Sequence, residues 1–395
     1  MKYILTFIYS FTLLFALSQE RRIEFEEYDL ANGLYVILHQ DNTTPIVNVS
    51  VLYHVGSKNE SKGRTGFAHF FEHLMFEGSK NVKRGEFDKI LDKAGGASNA
   101  NTNFDRTFYY ETIPSHQLEI ALYLESERML HPVIDSTGIA TQKEVVKEEK
   151  RLRIDNQPYG SILEETFSRV FKGTPYGWTP IGSFEDIDAA NEGDFKDFFN
   201  TFYVPNNATL AIAGDISMPE AKDMVKKWFG EIPKGTKEIP RPKIEAQKLG
   251  KIKAEVFDNI QLPAVIQAYQ MTEQGSDDYY ALAMVTTLLS GGQSSRFQKE
   301  IVDNQQLAVQ VASIPLALED AGVFIAFGLV NVGNSVEDLG AAMDKEIERV
   351  KNELIDDKEF QKLRNQIENS FVSSNSTMRG IAESLANYHV YYGNT

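Results

Sequence analysis

The order of predicted elements in this 395-residue chain repeats on either side of one proline-rich, charged segment. The stretch "LYVILHQDNTTPIVNVSVLY" predicts two strands around a turn, and "AEVFDNIQLPAVIQAYQM" repeats that order with Asp-Asn at the start of each turn. A predicted helix and a glycine pair follow in both halves, Gly95-Gly96 in the first and Gly291-Gly292 in the second. This repeat limits the fold to two homologous α+β domains, each an antiparallel sheet packed with helices.

The proline-rich segment gives the predicted division of the chain. Its sequence, "EIPKGTKEIPRPKIEAQKLG", has three prolines and many charges, and residues 233–250 are the predicted linker. The linker separates an N-terminal domain (19–232) from a C-terminal domain (251–395). The second domain stops where the first still has a helix, a strand and another helix to come. We therefore expect the second domain to be truncated at its C-terminus.

The first 18 residues are predicted to be a cleaved signal peptide. Lys2 precedes an apolar run that ends in small residues at Ala16 and Ser18. We therefore expect an exported protein, periplasmic or extracellular, with a retained anchor as the alternative. The run is too short and interrupted to predict stable membrane insertion. The chain has no cysteine, which excludes disulfides, and its net charge of -16 argues against nucleic acid as a partner.

The stretch "GFAHFFEHLMFEGS" (66–79) places His69, Glu72 and His73 in a helix that is otherwise apolar on nearly every side. Buried imidazole and carboxylate groups destabilise a fold unless they find partners. Because positions i and i+4 share a helix face, the two histidines can offer two nitrogens to one zinc ion. Glu72 lies beside them as a general base. The alternative is two buried histidines that neighbouring groups satisfy.

A third ligand is predicted in the helix at "TQKEVVKEEKRLR". If Val145 and Val146 mark its apolar face, Glu149 falls within that face, whereas Glu144 and Glu148 point to solvent. An acidic side chain on a buried face needs a cation or a hydrogen-bond donor. Zinc is one such partner, and a buried salt bridge to an arginine is the alternative.

The pattern His69-x-x-Glu72-His73, with Glu149 76 residues after His73, resembles the pitrilysin family of zinc peptidases. This family includes insulin-degrading enzyme and the mitochondrial processing peptidase. The stretches "GGASNANT", "EVVKEEKRLRIDNQPYG" and "FYVPNNATLAIAGD" are similar to its bacterial, half-length branch. The resemblance implies one Zn²⁺ per chain held by His69, His73 and Glu149. It also implies that Glu72 activates water for amide hydrolysis.

The resemblance assigns two further roles. An edge strand near Asn99 and Ala100 is expected to bind the peptide substrate as an added strand, through backbone hydrogen bonds. The alternative for this stretch is an ordinary Asn/Gly turn followed by a strand. Gln142 stands seven residues before Glu149, where many members have a supporting glutamate. We expect Gln142 to tune the site by hydrogen bonding around the metal rather than to abolish it.

One departure from the family affects the substrate clamp. Val302 and Val309 stand where complete members have an Arg and a Tyr that grip the substrate and stabilise the oxyanion. Valine side chains donate no hydrogen bond, so the chain has the zinc half-site without this clamp. We therefore predict a zinc metalloendopeptidase of peptides or unfolded segments, as the metal-bearing subunit of a heterodimer with a homologous metal-free subunit. The alternative is a non-catalytic assembly or peptide-binding subunit of a larger complex.

Overall fold

The computed structural model describes residues 22–245, 247 and 249–395. The predicted signal peptide (1–18) lies outside the described residues, so export stays a prediction. Within the described ranges, no helix is both long enough and apolar enough to cross a membrane.

A six-stranded sheet forms the centre of the first domain. In spatial order its strands are β1 (Glu26–Asp29), β2 (Tyr35–Gln40), β6 (Ala208–Gly214), β3 (Ile46–Tyr53), β5 (Thr107–Pro114) and β4 (Ala97–Thr102). Neighbouring strands are antiparallel except β2 and β6, which are parallel. Because β4 is the last strand in this order, one of its sides is an open edge of the sheet.

Eight helices belong to the first domain as the structure describes it. They are α1 (Phe67–Leu74), α2 (Phe87–Lys93), α3 (Leu118–Leu130), α4 (Ser136–Lys150), α5 (Ile162–Val170), α6 (Phe184–Ala189), α7 (Glu192–Phe202) and α8 (Met218–Phe229). The main core forms where several of these helices meet one face of the sheet. Val49 and Val51 of β3 belong to this core together with Phe70 and Phe71 of α1, and all four are fully buried. This burial agrees with the apolar pattern of α1.

The opposite face of the six-stranded sheet is covered by α12 (Met378–Tyr392). Ile37 and Leu52 of the sheet contact Ile381 and Leu385 of this helix. The central strands β2, β3 and β6 are thus buried on both faces, which explains why they are mostly apolar, whereas β1 and β4 are more polar and exposed. The sequence division places α12 in the second domain (251–395), but the helix packs on the first. The linker boundary itself stays a prediction.

The second domain repeats part of the first. Its sheet has the order β7 (Ala264–Met271), β9 (Gly322–Val330), β8 (Ala308–Ala317), all antiparallel, with α9 (Asp277–Ser290), α10 (Val336–Asn352) and α11 (Asp357–Ser374) around it. This order matches β3-β5-β4 of the first domain when the elements are counted along the chain. The prediction of two homologous α+β domains is therefore confirmed.

One strand of the predicted repeat does not form. The sequence "AEVFD" (254–258) was expected to mirror β2, but the structure has no strand there, and Phe257 is 91% exposed. In the first domain β2 has neighbours on both sides. No described strand of the second sheet pairs with residues 254–258, and a lone strand leaves its backbone groups without partners. The prediction was wrong for that reason.

A buried group of charges joins the turn between β8 and β9 to the first domain. Lys58 is 3% exposed, and its ammonium pairs with Glu319, with Asp320 at 3.1 Å and with Asp105 at 3.4 Å. His54 Nε2 lies 3.0 Å from the Glu319 carboxylate. Burial acts to raise the pKa of Glu319, but His54 and Lys58 lower it more strongly, to about 2. These contacts hold the second domain against the first.

We expect Glu319→Gln to lower the free energy of unfolding at pH 7 by about 1–3 kcal/mol, because a charged acceptor is lost from buried donors. A carboxyl with a depressed pKa stabilises the fold above its unfolded pKa, and this contribution disappears as the pH falls. The difference between wild type and variant should therefore shrink between about pH 5 and pH 2. Urea unfolding across this range measures it. The exposed pair partner Glu353, changed to Gln, is the control, and a pH-independent difference would contradict the assignment.

Candidate metal centre

The structure brings the three predicted metal ligands together. His73 Nε2 lies 3.0 Å and His69 Nε2 lies 3.4 Å from Oε2 of Glu149, and the two imidazole nitrogens are 3.3 Å apart. The side chains are exposed by 10% for His69, 23% for His73 and 13% for Glu149. Two nitrogens and one oxygen therefore point at a common position that solvent reaches from one side.

The donor set and its spacing fit a zinc ion. Zinc binds imidazole nitrogen and carboxylate oxygen at about 2.0–2.2 Å in tetrahedral geometry, which places ligand atoms about 3.3–3.6 Å apart. The observed separations of 3.0–3.4 Å are close to that range. Burial acts to raise the pKa of Glu149, but the two imidazoles lower it well below its usual range. The carboxylate is thus ionised, as a metal ligand must be.

Aromatic packing and tyrosine hydrogen bonds fix α1. Its first residue, Phe67, stacks on Phe195 of α7 with ring centroids 4.7 Å apart. Tyr109 of β5 donates its hydroxyl proton to the carbonyl oxygen of Phe71 at 2.9 Å, and Tyr203 donates to that of Ala68 at 3.3 Å. These bonds tie backbone groups on either side of His69 to the domain core, so the two imidazoles keep one orientation.

Gly66 allows a close approach at the start of α1. Its φ of +89° lies in the left-handed region, and a Cβ there would come within 2.9 Å of the Ile181 carbonyl oxygen. Gly182 faces it with a φ of +67°. A larger residue at either position would separate the turn at Gly182 from the helix that carries the histidines.

Glu149 comes from the last turn of α4. Its neighbours Glu144 and Glu148 have side chains that are 71% and 57% exposed, as predicted. The apolar face differs from the prediction, because Val146 is fully buried whereas Val145 is 42% exposed. Glu149 therefore lies at the border of the buried face, where it can reach both α1 and solvent.

Gln142 contacts neither histidine nor Glu149. Its amide donates to Glu77, a buried residue just after α1, and Glu77 also accepts from Arg84. Arg84 in turn donates to Asp135 at 2.9 Å, the residue whose carboxylate caps the N-terminus of α4. This chain of hydrogen bonds ties α1 to α4, the two helices that carry the ligands. The predicted tuning role of Gln142 stays a prediction, and the contact with Glu77 is the route through which it could act.

Sequence reasoning missed Arg153. Its guanidinium lies 2.6 Å from Oε1 of Glu149, the carboxylate oxygen that faces away from the imidazoles. α4 passes into a π-helical turn at Arg151–Asp155, a feature often found at functional sites. The i, i+4 spacing of Glu149 and Arg153 was a signal that could have found this pair. The arginine alternative considered for Glu149 is thus present beside the histidines, not in place of them.

Glu72 has no hydrogen-bond or ion-pair partner among the described residues. Its carboxylate lies close enough to Tyr109 and Tyr203 to help burial raise the pKa of both phenols. Since Glu72 shares a helical turn with His69 and His73, its carboxylate is near the metal position but is not needed to complete the ligand set.

The predicted substrate strand is an edge strand. Asn99 and Ala100 lie in β4, opposite Tyr110 and Tyr109 of β5, and β4 packs beside α1. The Asn99 side chain is exposed, and its Oδ1 accepts from the backbone N–H of Ala100 at 2.8 Å. This edge is free to pair with an added strand once that local hydrogen bond is exchanged.

Val302 and Val309, at the expected clamp positions, differ in their surroundings. Val302 packs on the second core, and Val309 in β8 is 46% exposed. Arg296 is occupied by an ion pair with Glu359 at 2.9 Å. The two valine side chains donate no hydrogen bond, and the absence of the substrate clamp from this chain stays a prediction.

Both halves of the chain match known protein families. Residues 35–180 match the pattern described as insulinase (peptidase family M16), and residues 189–367 match the one described as the peptidase M16 inactive domain. A protein named zinc protease PqqE from Helicobacter pylori is 34% identical over 369 residues, which cover 92% of this chain and 83% of that protein. A probable mitochondrial-processing peptidase subunit beta from Arabidopsis thaliana is 23% identical over 376 residues, 92% of this chain and 70% of that protein.

Solved structures show the same fold. A protease from Helicobacter pylori superposes with a TM-score of 0.87 at 33% identity, covering 94% of this chain and 90% of that one. The periplasmic protease PqqL from Escherichia coli superposes with a TM-score of 0.74 at 18% identity. The match covers 93% of this chain and 42% of PqqL. The similarity to PqqL shows a shared fold only.

We expect His73→Ala to abolish zinc binding, because one of three protein ligands is lost. Purified wild-type protein should retain about one zinc ion per chain after dialysis, and the variant close to none. Elemental analysis by mass spectrometry measures this ratio. His116→Ala, which removes an exposed imidazole from another part of the domain, should leave the ratio unchanged. Full zinc content in His73→Ala would mean that the ion binds elsewhere.

Proposed function

Because this chain belongs to the insulinase (M16) family of peptidases, we propose that it is a zinc metalloendopeptidase that hydrolyses peptides or unfolded polypeptide segments. The observation that carries the proposal is the convergence of His69, His73 and Glu149 beside the unpartnered Glu72. A relative with 34% identity over nearly the whole chain is named a zinc protease, which supports the same activity.

The described residues suit each part of peptide hydrolysis. His69, His73 and Glu149 would hold a zinc ion, which when bound supplies an acidified water and polarises a carbonyl oxygen. Glu72 accepts the proton of the attacking water and passes it to the leaving amine, since its carboxylate has no competing partner. Arg153, whose side chain is 76% exposed, pairs with the second oxygen of Glu149 and leaves the first oxygen facing the imidazoles.

The substrate would bind along the open edge of β4. Pairing there uses backbone N–H and C=O groups, so it requires an extended peptide rather than a particular sequence. A folded protein does not offer a free strand, and this favours peptides and unfolded segments as substrates. Asn99 must release the Ala100 N–H when the peptide pairs, and its amide then becomes available to the substrate carbonyl.

We propose that a homologous, metal-free subunit completes the site. Val302 and Val309 give no hydrogen-bond donors for the substrate or the oxyanion. The Arabidopsis relative is named as a subunit, which fits a chain that works in a pair. The Escherichia coli protease PqqL, of the same fold, is more than twice the length that this chain matches. The partner would close over β4 and the zinc site with its own Arg and Tyr.

The predicted signal peptide would place this assembly in the periplasm or outside the cell.

A second candidate is a peptide-binding subunit that binds zinc but hydrolyses slowly. The valines at positions 302 and 309 favour it, because they leave the transition state without the clamp. It differs from the main proposal in one respect: the partner would not raise the rate of hydrolysis.

We expect Glu72→Gln to keep the metal and to lower the rate of peptide hydrolysis by about 10²–10⁴-fold, because the general base is lost. Zinc content and cleavage of a fluorogenic peptide are measured on the same preparation. Glu144→Gln, an exposed acidic residue of α4, is the control and should keep full activity. Hydrolysis that persists in Glu72→Gln would show that another group takes the proton.

We expect the chain alone to hydrolyse peptides slowly and a homologue with the Arg/Tyr pair to raise kcat by about 10²–10³, the usual effect of one oxyanion donor. Each subunit, their mixture, and a mixture with Glu72→Gln are assayed together, and the complex is measured by size-exclusion chromatography. Replacing the partner's Arg and Tyr with valine should cancel the gain. Full activity of the lone chain, unchanged by the partner, would rule out the shared site.

A further inference from the structure

A buried carboxylate caps the helix of the metal ligands from outside that helix. Glu60 is 6% exposed, and its Oε1 accepts from the backbone N–H of Ala68 at 2.9 Å. Its Oε2 accepts from the backbone N–H of Gly66 at 2.9 Å and from the indole N–H of Trp178 at 3.0 Å. Three donors therefore converge on one side chain at the start of α1.

α1 depends on this carboxylate because it has no cap of its own. Its N-cap residue is Gly66, which has no side chain to accept the free N–H groups of the first turn. The helix is only eight residues long, so it has little intrinsic stability to hold its position. Burial raises the pKa of the Glu60 carboxyl, while the backbone N–H groups of Gly66, Phe67 and Ala68 and the Trp178 indole lower it. Both carboxyl oxygens face N–H donors, and such contacts favour the ionised, accepting form. Placing an acid here is therefore costly, and its hydrogen bonds offset the cost.

The position of this cap matters for the metal. Ala68, whose N–H is bound by Glu60, directly precedes His69, and its carbonyl oxygen accepts from Tyr203 at 3.3 Å. Glu60 thus accepts from the N–H of Ala68 and Tyr203 donates to its carbonyl oxygen, so the backbone just before His69 is fixed on both sides. A shift of the first turn would displace the His69 nitrogen relative to Glu149, which belongs to another helix. Metal sites tolerate errors of only about 0.5 Å in such placement.

We propose that Glu60 is a positioning residue of the metal centre: through Gly66, Ala68 and Trp178 it sets the height and direction of α1 so that His69 and His73 meet Glu149. Glu60 does not touch the metal position, and its effect is transmitted by the helix backbone. This inference rests on the proposed function in that a metal must bind at the site, but it does not depend on hydrolysis.

The test compares two helix caps in the full chain. Glu60→Gln keeps the size of the side chain but turns an amide N–H₂ toward the N–H groups of α1. Asp356→Ala removes the carboxylate that caps α11 by accepting from the Glu359 N–H at 2.7 Å, away from the metal helix. The zinc dissociation constant is measured by competition with a chromogenic chelator, and thermal unfolding is recorded for both variants. The visible absorption of the Co²⁺-loaded proteins reports ligand geometry.

We expect Glu60→Gln to bind zinc about 10–100-fold more weakly and to change the Co²⁺ spectrum, as is usual when a supporting residue of a metal site is lost. Asp356→Ala should lower the unfolding temperature without altering the zinc affinity. If Glu60→Gln unfolds earlier but binds zinc like the wild type, Glu60 is a structural cap only and the proposal is wrong. If the wild type binds no zinc, both this inference and the proposed function fail.

A second variant decides the matter if Glu60→Gln does not fold. Trp178→Phe removes one donor to Glu60 and leaves the carboxylate on the two backbone N–H groups. We expect a smaller loss of zinc affinity in the same direction, with the Co²⁺ spectrum shifted toward that of a distorted site. Unchanged affinity and spectrum in a folded Trp178→Phe protein would overturn the proposal. Wild-type protein that binds zinc but hydrolyses no peptide, with or without the partner, would count against the catalytic proposal instead.

Discussion

The packing of α1 against the sheet and against α4 is the constraint on which the candidate site depends. Phe70 and Phe71 bury this short helix in the main core, which leaves the side of His69 and His73 facing α4. α4 then brings Glu149 to the same point. Two helices from separate parts of the chain must meet at a fixed height, and a deviation of a few tenths of an ångström would separate the three ligand atoms.

Polar contacts hold that meeting point from several directions. Tyr109 and Tyr203 bind carbonyl oxygens of α1, and Glu77 connects the end of α1 to α4 through Gln142 and Arg84. Tyr109, Tyr203, Glu77 and Gln142 are buried or half-buried, so hydrogen bonds among them are stronger than at the surface, whereas Arg84 is exposed. These contacts fix the backbones of α1 and α4. The Glu72 carboxylate, in contrast, has no partner among the described residues and is available to transfer a proton.

The two domains contribute unequally to the proposed chemistry. The first provides the metal ligands, the base and the open edge of β4. The second repeats the order of its sheet but has Val302 and Val309 where the family resemblance predicts the substrate clamp, and it is held by the ion pairs of Lys58. In the proposed heterodimer, hydrolysis would require a second subunit to close over the bound peptide, and this requirement would control the activity.

The sequence alone was enough to predict the local features. The i, i+4 spacing of His69 and His73 places both on one helix face, and the repeat of elements predicted two related domains. The apolar face of its helix and the resemblance to a peptidase family both indicated Glu149, and the resemblance indicated the edge strand. Tertiary structure decided the rest. It turned Gln142 toward Glu77, paired Arg153 with Glu149, exposed Val145, left residues 254–258 without strand partners and placed α12 on the first sheet. Local pattern records which side of an element is apolar, but which other element covers that side depends on packing between residues far apart in the chain.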